Sequence, residues 1–127
     1  MDREICLDTD ILIEITKNSE EIITFLRKLG ANLYTTPINS FEIWTGRLRK
    51  EEEHIKILIE NLKSADFNKK AALRTGDIYK YLKEKGELID FRDIFIASVC
   101  IENNLELFTN NKKHFERLKK FGLKLVE

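Results

Sequence analysis

The chain changes character twice within the stretch Ile5-Cys6-Leu7-Asp8-Thr9-Asp10-Ile11-Leu12-Ile13. Its first part is a short apolar run typical of a β-strand, and its last part has the spacing of an amphipathic helix. Two acids, Asp8 and Asp10, lie at the junction. A strand that leads directly into a helix is typical of α/β folds, whose sheets carry functional sites beyond the carboxyl ends of their strands. Asp8 is therefore a candidate site residue.

One of these two acids can be explained by the helix that follows, because aspartate is a good helix cap. We assign the cap to Asp10. Capping needs only one acid, so Asp8 is left at the end of the strand, where an unpaired carboxylate would need a cation. This assignment makes Asp8 a candidate metal ligand.

A second acid, Glu42, follows the proline and threonine that mark a helix start at Thr36-Pro37. A helical glutamate taken alone is usually solvated or paired on the helix surface. Glu42 is flanked by Phe41, Ile43 and Trp44, and these large apolar neighbours favour a position that points into the interior or into a cleft.

The third acid, Asp93, opens the apolar stretch Asp93-Ile94-Phe95-Ile96-Ala97. The spacing Asp90-x-x-Asp93 also fits a capping box with Asp90 as the N-cap. Either interpretation puts Asp93 at a helix N-terminus beside the core. Carboxylates gathered without a cysteine or histidine cluster suit a hard, oxygen-seeking cation such as Mg²⁺ or Mn²⁺, which indicates phosphate chemistry.

Strands and helices alternate along the chain, as the apolar spacing and the turn residues show. We predict strands over residues 4–7, 32–35, 105–108 and 123–126, and helices over residues 10–16, 19–29, 37–50, 51–63, 68–85 and 94–101. The helices over residues 51–63 and 68–85 are expected to pack on the sheet. This alternation predicts an α/β fold with a mainly parallel sheet, and 127 residues suit a single domain over residues 1–127.

Composition narrows the function and the location. The 22 basic and 22 acidic residues give a net charge of zero, so only a local basic patch could attract a polyanion. No apolar run approaches the ~20 residues that span a bilayer, so no membrane association is expected. Cys6 and Cys100 both lie in apolar segments and are expected to be buried free thiols, which suits a reducing cytoplasm.

Four segments read together resemble the PIN domain family of nucleases, in particular the VapC toxins of prokaryotic toxin–antitoxin pairs. The matching segments are Leu7-Asp8-Thr9-Asp10-Ile11-Leu12-Ile13, Ser40-Phe41-Glu42-Ile43-Trp44-Thr45-Gly46, Asp93-Ile94-Phe95-Ile96-Ala97 and Leu107-Phe108-Thr109-Asn110-Asn111-Lys112-Lys113-His114-Phe115. Each motif is common when taken alone. Together they follow the order of the family and cover almost the whole chain.

The resemblance implies a three-layer α/β/α fold in which Asp8, Glu42 and Asp93 converge on Mg²⁺ or Mn²⁺ and act as the catalytic carboxylates. It further implies a metal-dependent endoribonuclease that hydrolyses RNA phosphodiester bonds by cation-assisted attack of water. A VapB-like antitoxin that blocks the site and a homodimer packed through helices are the expected protein partners.

One departure from the family concerns a fourth acid, which many members carry in the closing motif. The matching positions here are Asn111 and His114. Asn111 and Asp90 are candidates for additional metal contacts, and Asp10 is another substitute for the missing acid. A site with one carboxylate fewer holds a second cation less tightly. The missing acid is compatible with weakened catalytic activity. The alternative to an active ribonuclease is a catalytically weak or inactive PIN-like module that binds RNA or a protein.

Basic residues cluster after the Glu42 segment and around the closing motif, where they could hold RNA phosphates without reading sequence. The competing interpretation is that these clusters are ordinary solvated faces. The expected substrate-binding residues are Thr9, Arg47, Arg49, Thr109, Asn111 and Lys112.

Two other classes of enzyme receive little support. The triplet Asp8-Thr9-Asp10 also resembles the opening motif of haloacid-dehalogenase-type phosphatases, but the lysine and the paired acids that such enzymes need are not recognisable downstream. Nucleophilic catalysis by a Ser/His/Asp or Cys/His set is not indicated either, since the only histidines are His114 and His54, and His54 is expected at the surface.

Overall fold

Five parallel strands form one sheet in the computed structural model, which describes residues 2–127. The strands are β1 (Glu4–Leu7), β2 (Asn32–Thr35), β3 (Lys63–Ser64), β4 (Glu106–Phe108) and β5 (Lys124–Leu125). Their order in the sheet is β3-β2-β1-β4-β5, and every neighbouring pair is parallel. The predicted parallel sheet is therefore confirmed, with β1 at its centre.

Seven α-helices surround this sheet within the described residues. They are α1 (Thr9–Thr16), α2 (Glu20–Leu29), α3 (Pro37–Thr45), α4 (Glu52–Asn61), α5 (Lys69–Glu84), α6 (Phe91–Glu102) and α7 (Lys112–Phe115). Local signals explain several of their ends. Ser19 caps α2, the side chain of Thr36 caps α3 ahead of Pro37, and Gly30 ends α2 in the left-handed conformation with φ of 58°. Within residues 2–127 no helix combines the length and the apolar character needed to cross a bilayer.

The core lies in two layers, one on each face of the sheet. Successive residues of a strand point to opposite faces, and β1 shows this directly. Ile5 and Leu7 pack in one cluster with apolar residues of α1, α2 and α4, whereas Cys6 packs in the other cluster with α5 and α6. These two layers of helices confirm the three-layer α/β/α architecture.

The sheet places three polar segments at one edge. Because β2 and β4 both pair with β1 in parallel, the residues that follow these three strands lie side by side. They are Asp8, Thr36 and Thr109. The backbone N–H of Asp8 donates to the carbonyl of Phe108 at 3.0 Å, which extends the ladder by one more residue and fixes Asp8 between its neighbours.

The predicted elements need two corrections. Helix α3 ends at Thr45 instead of continuing to residue 50, and a short 3₁₀ turn over Arg49–Glu51 precedes α4. Strand β3 was not predicted, because two exposed residues show no alternation that a sequence could reveal. Helix α5 packs chiefly against α6, and its buried residues share a core cluster with Cys6 and Leu107 of the sheet. The two thiols behaved as expected, since Cys6 and Cys100 are both free and buried.

Candidate active site

Asp8 is buried, with 7% of its surface exposed, and neutral donors hold both of its carboxylate oxygens. The backbone N–H of Thr9 donates to Oδ1 at 2.9 Å, and the side-chain amide of Asn39 donates to the same oxygen at 3.1 Å. The hydroxyl of Thr109 donates to Oδ2 at 2.7 Å. Asp8 is also the N-cap of α1, so the assignment of this cap to Asp10 was wrong.

The environment of Asp8 disfavours its charge despite these hydrogen bonds. Burial raises the pKa of Asp8, while the donors from Thr109, Thr9 and Asn39 lower it and the nearby charge of Glu42 raises it further. Donors that stabilise a carboxylate compete here with desolvation, and desolvation is the largest cause. Because the hydrogen bonds fix the orientation of the Asp8 carboxylate, a cation beside it would meet a ligand that is already in place.

Glu42 reaches the same centre from α3. The hydroxyl of Thr9 donates to its Oε1 at 2.7 Å, and its Oε2 lies 3.7 Å from Nη1 of Arg92. Only 19% of the side chain is exposed, so the expected position in a cleft is confirmed. Its neighbour Phe41 points outward and is 59% exposed, because adjacent helical residues face different directions.

Asn39 bonds both Asp8 and Thr9, the residue that holds Glu42, and we did not single it out from the sequence. It is fully buried. Its amide nitrogen donates to Asp8 and, at 3.0 Å, to the hydroxyl oxygen of Thr9, while its Oδ1 accepts from the hydroxyl of Thr36 at 2.7 Å. The available signal was its spacing, because a residue three positions before Glu42 lies on the same helix face.

Asp93 lies at the first turn of α6 with 22% of its side chain exposed. Its Oδ2 is 2.9 Å from Nε2 of His114. Burial, followed by the charge of Asp8, raises the pKa of Asp93 to about 6, and His114 acts in the opposite direction. The pKa of Asp93 therefore lies above the ordinary range of a carboxyl group.

Asp90 caps α6 and accepts from the backbone N–H of Arg92 at 2.9 Å, as expected for an N-cap. Its carboxylate also accepts from the guanidinium of Arg92 at 3.0 and 3.3 Å. These bonds hold the pKa of Asp90 below its usual range. The carboxylate is thus engaged with Arg92, and not with Asp93, which gives no support to its expected role as an additional metal ligand.

Asp10 is the additional acid that the structure does bring to the centre. Its Oδ2 accepts from the backbone N–H of Asn110 at 3.0 Å and lies 3.3 Å from the hydroxyl of Thr109. Its Oδ1 is buried and has no hydrogen-bond partner among residues 2–127. Burial, followed by the charge of Asp8, raises the pKa of Asp10.

The other expected site residues take varied places. Thr9 and Thr109 orient Glu42 and Asp8 respectively. The guanidinium of Arg47 stacks on Trp44 at 3.9 Å and bonds Glu52 at 2.9 Å.

The side chains of Arg49 and Asn111 are exposed, and that of Lys112 is partly buried. His114, from the same closing motif, is the residue that touches an acid of the centre. His54 is exposed, as expected.

The donor chemistry of the centre fits a hard divalent cation. Carboxylate oxygens are the ligands that such ions prefer. Burial and mutual repulsion raise the pKa values of Asp8, Asp10 and Asp93, and a cation would offset both effects by stabilising the charged carboxylates. However, no three acidic, histidine or cysteine side chains within residues 2–127 come close enough together to surround one ion. The expected convergence of three carboxylates is therefore not seen, because Glu42 and Asp93 are turned toward Arg92 and His114.

Comparison with known proteins places this arrangement in a family. Residues 5–121 match the PIN domain. The chain is 35% identical over 125 residues to ribonuclease VapC1 of Methanocaldococcus jannaschii, covering 98% of this chain and 88% of that protein. It is 30% identical over 118 residues to ribonuclease VapC2 of Haemophilus influenzae, with 88% and 89% of the two chains covered.

Solved structures with the same fold include complexes of toxin and antitoxin. One is VapBC2 of Rickettsia felis bound to a DNA fragment from its promoter, with a TM-score of 0.85, 26% identity and 96% of each chain covered. Another is VapBC-1 of nontypeable Haemophilus influenzae, with a TM-score of 0.83, 26% identity and coverage of 97% and 96%.

Proposed function

Because the chain belongs to the PIN domain family, we propose that it is a metal-dependent endoribonuclease, the VapC-like toxin of a toxin–antitoxin pair. The relatives that carry the name ribonuclease VapC match across most of its length. Residues 1–127 form one such domain in this proposal, and the enzyme works in a reducing cytoplasm, as its two free thiols suggest.

The observation that supports this function best is the grouping of Asp8, Glu42 and Asp93 beyond the end of the central strand. They come from three different parts of the chain, yet the charge of Glu42 raises the pKa of Asp8 and the charge of Asp8 raises the pKa of Asp93. We assign these three carboxylates to the catalytic centre, and in this proposal Glu42 and Asp93 turn away from Arg92 and His114 to reach one Mg²⁺ or Mn²⁺ when it binds. Asp10 and Asn111 are further candidates for contact with a second ion, whereas the bonds of Asp90 to Arg92 argue against it.

When bound, a hard divalent cation would polarise the phosphodiester and stabilise the charge on the leaving oxygen. The protein contributes fixed geometry to this chemistry. Asp8 is immobilised by its three neutral donors, and Thr9 orients Glu42 through its hydroxyl. Fixing reacting groups in advance lowers the barrier because less reorganisation is needed during the reaction.

Cleavage of a labelled RNA pool with and without Mg²⁺ or Mn²⁺ tests the proposal. We expect cation-dependent cleavage, and we expect Asp8→Asn and Asp93→Asn each to reduce it by roughly 10²- to 10³-fold. Asp77→Asn is the matched control, since Asp77 is an exposed acid on α5 and should retain full activity. Cleavage that persists in both site variants would contradict the assignment, and absence of any cleavage would favour the inactive binding module.

A thermal melt is a second test of the proposed cation site, and its result does not depend on catalysis. A cation that binds only the folded chain stabilises it, by about 2.7 kcal/mol at a hundredfold excess over its dissociation constant. Saturating Mg²⁺ or Mn²⁺ should therefore raise the melting temperature of the unsubstituted chain and have much less effect on Asp8→Asn. An equal response in both proteins would show that the ion does not bind at Asp8.

An antitoxin related to VapB is the protein partner that we propose, because solved relatives are VapBC complexes. A groove beside the acid centre offers such a partner an apolar surface that reaches Glu42, and it is lined by Ile13, Ile43, Leu48 and Ile55. Co-expression with a VapB-like antitoxin should give a stable complex in which RNA cleavage is inhibited. Failure of the two chains to copurify would contradict this partner.

A homodimer is the second assembly that we propose, and its surface would be aromatic. Phe41 and Phe91 are 59% and 54% exposed, and together with Phe67 and Phe95 they form what we call the aromatic surface. Exposed apolar patches of this kind mark interaction sites.

Light scattering after gel filtration tests this assembly. Phe91→Asp should convert a dimer to a monomer, because a charge would be buried without a partner. Leu73→Asp is the control, since Leu73 is 72% exposed on α5 and lies outside the aromatic surface. A mass that is unchanged by Phe91→Asp would contradict the proposed face.

A further inference from the structure

The acid centre carries excess negative charge, although its proposed substrate is a polyanion. Asp8, Asp10, Glu42 and Asp93 influence one another through their charges. Such a cluster repels an approaching phosphodiester, and nucleic-acid-binding proteins overcome this repulsion with arginine and lysine. Within residues 2–127, Arg92 is the only arginine or lysine at ion-pair distance from any of these four acids.

Arg92 is oriented by Asp90 and remains accessible. Asp90 accepts from the Nη2 and Nε groups of Arg92 at 3.0 and 3.3 Å. The Nη1 group faces Oε2 of Glu42 at 3.7 Å, which is too long for a good hydrogen bond. A guanidinium has five N–H donors, and this side chain is 46% exposed. Arg92 therefore has a fixed direction and donors that are still free.

We infer that Arg92 binds an RNA phosphate at the edge of the acid centre and that Asp90 is its positioning residue. This inference rests on the proposed ribonuclease function. The planar fork of a guanidinium matches two phosphate oxygens, which a lysine cannot do. Because the phosphate backbone is the same at every nucleotide, Arg92 contributes affinity and placement and does not select a sequence.

The competing role for Arg92 is to neutralise Glu42 and nothing more. The two roles differ in what happens when Glu42 loses its charge. A residue that acts only through Glu42 has no effect on RNA once Glu42→Gln is present, whereas a phosphate-binding residue keeps its full effect. A double-mutant cycle with Arg92→Gln and Glu42→Gln therefore separates them.

The experiment measures binding of a fluorescein-labelled, single-stranded RNA of mixed sequence by anisotropy, in EDTA and over a range of KCl concentrations. We expect Arg92→Gln to weaken binding roughly 3- to 10-fold and to reduce the slope of log affinity against log salt by about 0.7, the value for one phosphate contact on a single strand. The same loss is expected in the Glu42→Gln background. Arg92→Lys should retain the slope and recover part of the affinity.

Arg74→Gln is the matched control, because Arg74 is a comparably exposed arginine that pairs with Glu102 at 2.7 Å and contacts none of the four acids. It should bind RNA as the unsubstituted chain does. Thermal melts and light scattering are used to check that each variant keeps its fold and its assembly. If Arg92→Gln does not fold, Arg92→Ala takes its place in the salt series.

Four results would overturn the inference: no RNA binding by the unsubstituted chain, unchanged binding in Arg92→Gln, an equal loss in Arg74→Gln, or a loss that disappears in the Glu42→Gln background. The proposed function is judged by a separate measurement, cleavage with Mg²⁺ or Mn²⁺. A chain that binds RNA through Arg92 and cleaves none refutes the ribonuclease and retains the RNA contact. A chain that cleaves normally after Arg92→Gln, with unchanged binding, refutes the contact alone.

Discussion

Asp8 and Asp93 belong to the same acid centre but are held by different kinds of partner. Asp8 is 7% exposed and accepts from a backbone amide, a side-chain amide and a hydroxyl, none of which titrates near neutral pH. Asp93 is 22% exposed in its side chain and is paired with the imidazole of His114. Desolvation raises the pKa of both acids, but only Asp8 has several neutral donors to oppose it.

This difference separates a rigid half of the centre from an adaptable half. Neutral hydrogen bonds between buried groups fix direction and are costly to break. A contact between a carboxylate and an imidazole at a partly exposed position contributes little stability, and the carboxylate can exchange the imidazole for another partner. We therefore expect Asp8 to be a permanent anchor, while Asp93 can leave His114 for a cation or for a proton. Substitutions in each half test this division.

Asn39→Ala should have the largest effect, because it breaks the network behind Asp8. The change leaves Asp8, Thr9 and Thr36 without one partner each, and unsatisfied buried polar groups cost about 1–3 kcal/mol. We expect the free energy of unfolding to fall by that amount and RNA cleavage to be lost. Denaturant titration gives the first quantity. Asn61→Ala, at an exposed position of α4, is the control, and an equal loss there would contradict a special role for Asn39.

Asp93→Asn should change stability in a manner that depends on pH. The pKa of Asp93 is raised from 3.8 to about 6 on folding, so the folded state binds this proton more tightly than the unfolded chain does. The resulting stabilisation of the folded state is complete below pH 3.8 and is lost as the pH rises through 6. Above that, the charge of Asp93 opposes folding. We expect Asp93→Asn to match the unsubstituted chain near pH 4 and to exceed it at pH 8 by about 1 kcal/mol, after allowance for solvent screening.

Melting curves in EDTA across this pH range measure the effect without interference from cations. Asp77→Asn should follow the unsubstituted chain at every pH, because Asp77 is exposed on α5. A stability difference that does not depend on pH would show that Asp93 is held as rigidly as Asp8, and the division between the two halves would fail.

Asn111→Asp should have the smallest effect and extends the comparison to the closing motif. The side chain of Asn111 is exposed, so the nearly isosteric aspartate should leave the fold intact. An added surface charge near the ions is worth about 0.2–1 kcal/mol, or roughly a 1.5- to 5-fold gain in divalent-cation affinity. Calorimetric titration measures it, with Asn68→Asp at the exposed cap of α5 as the control. Unchanged affinity and cleavage rate would remove position 111 from the site.

The sequence predicted the elements around the centre well wherever the signal is local. Ser19, Thr36 and Gly30 marked helix ends correctly, because capping involves residues that are adjacent in the chain. The prediction failed at Asp8 and Asp10, where either acid could cap α1 and only the fold shows that Asp8 does. It also failed at β3, which exists only because β2 is beside it.

The sequence by itself determined the order of β1, β2, β4, β5 and the helices α1 to α6, the apolar faces of those helices, and the position of acids just beyond or near strand ends. These properties follow from short-range periodicity and local chain chemistry. Tertiary structure alone decided which partner each acid receives. Thr109 is 101 residues from Asp8, Asn39 is 31 residues from it, and Arg92 meets Glu42 from another helix. Such contacts depend on sheet order and helix packing, which no local pattern specifies.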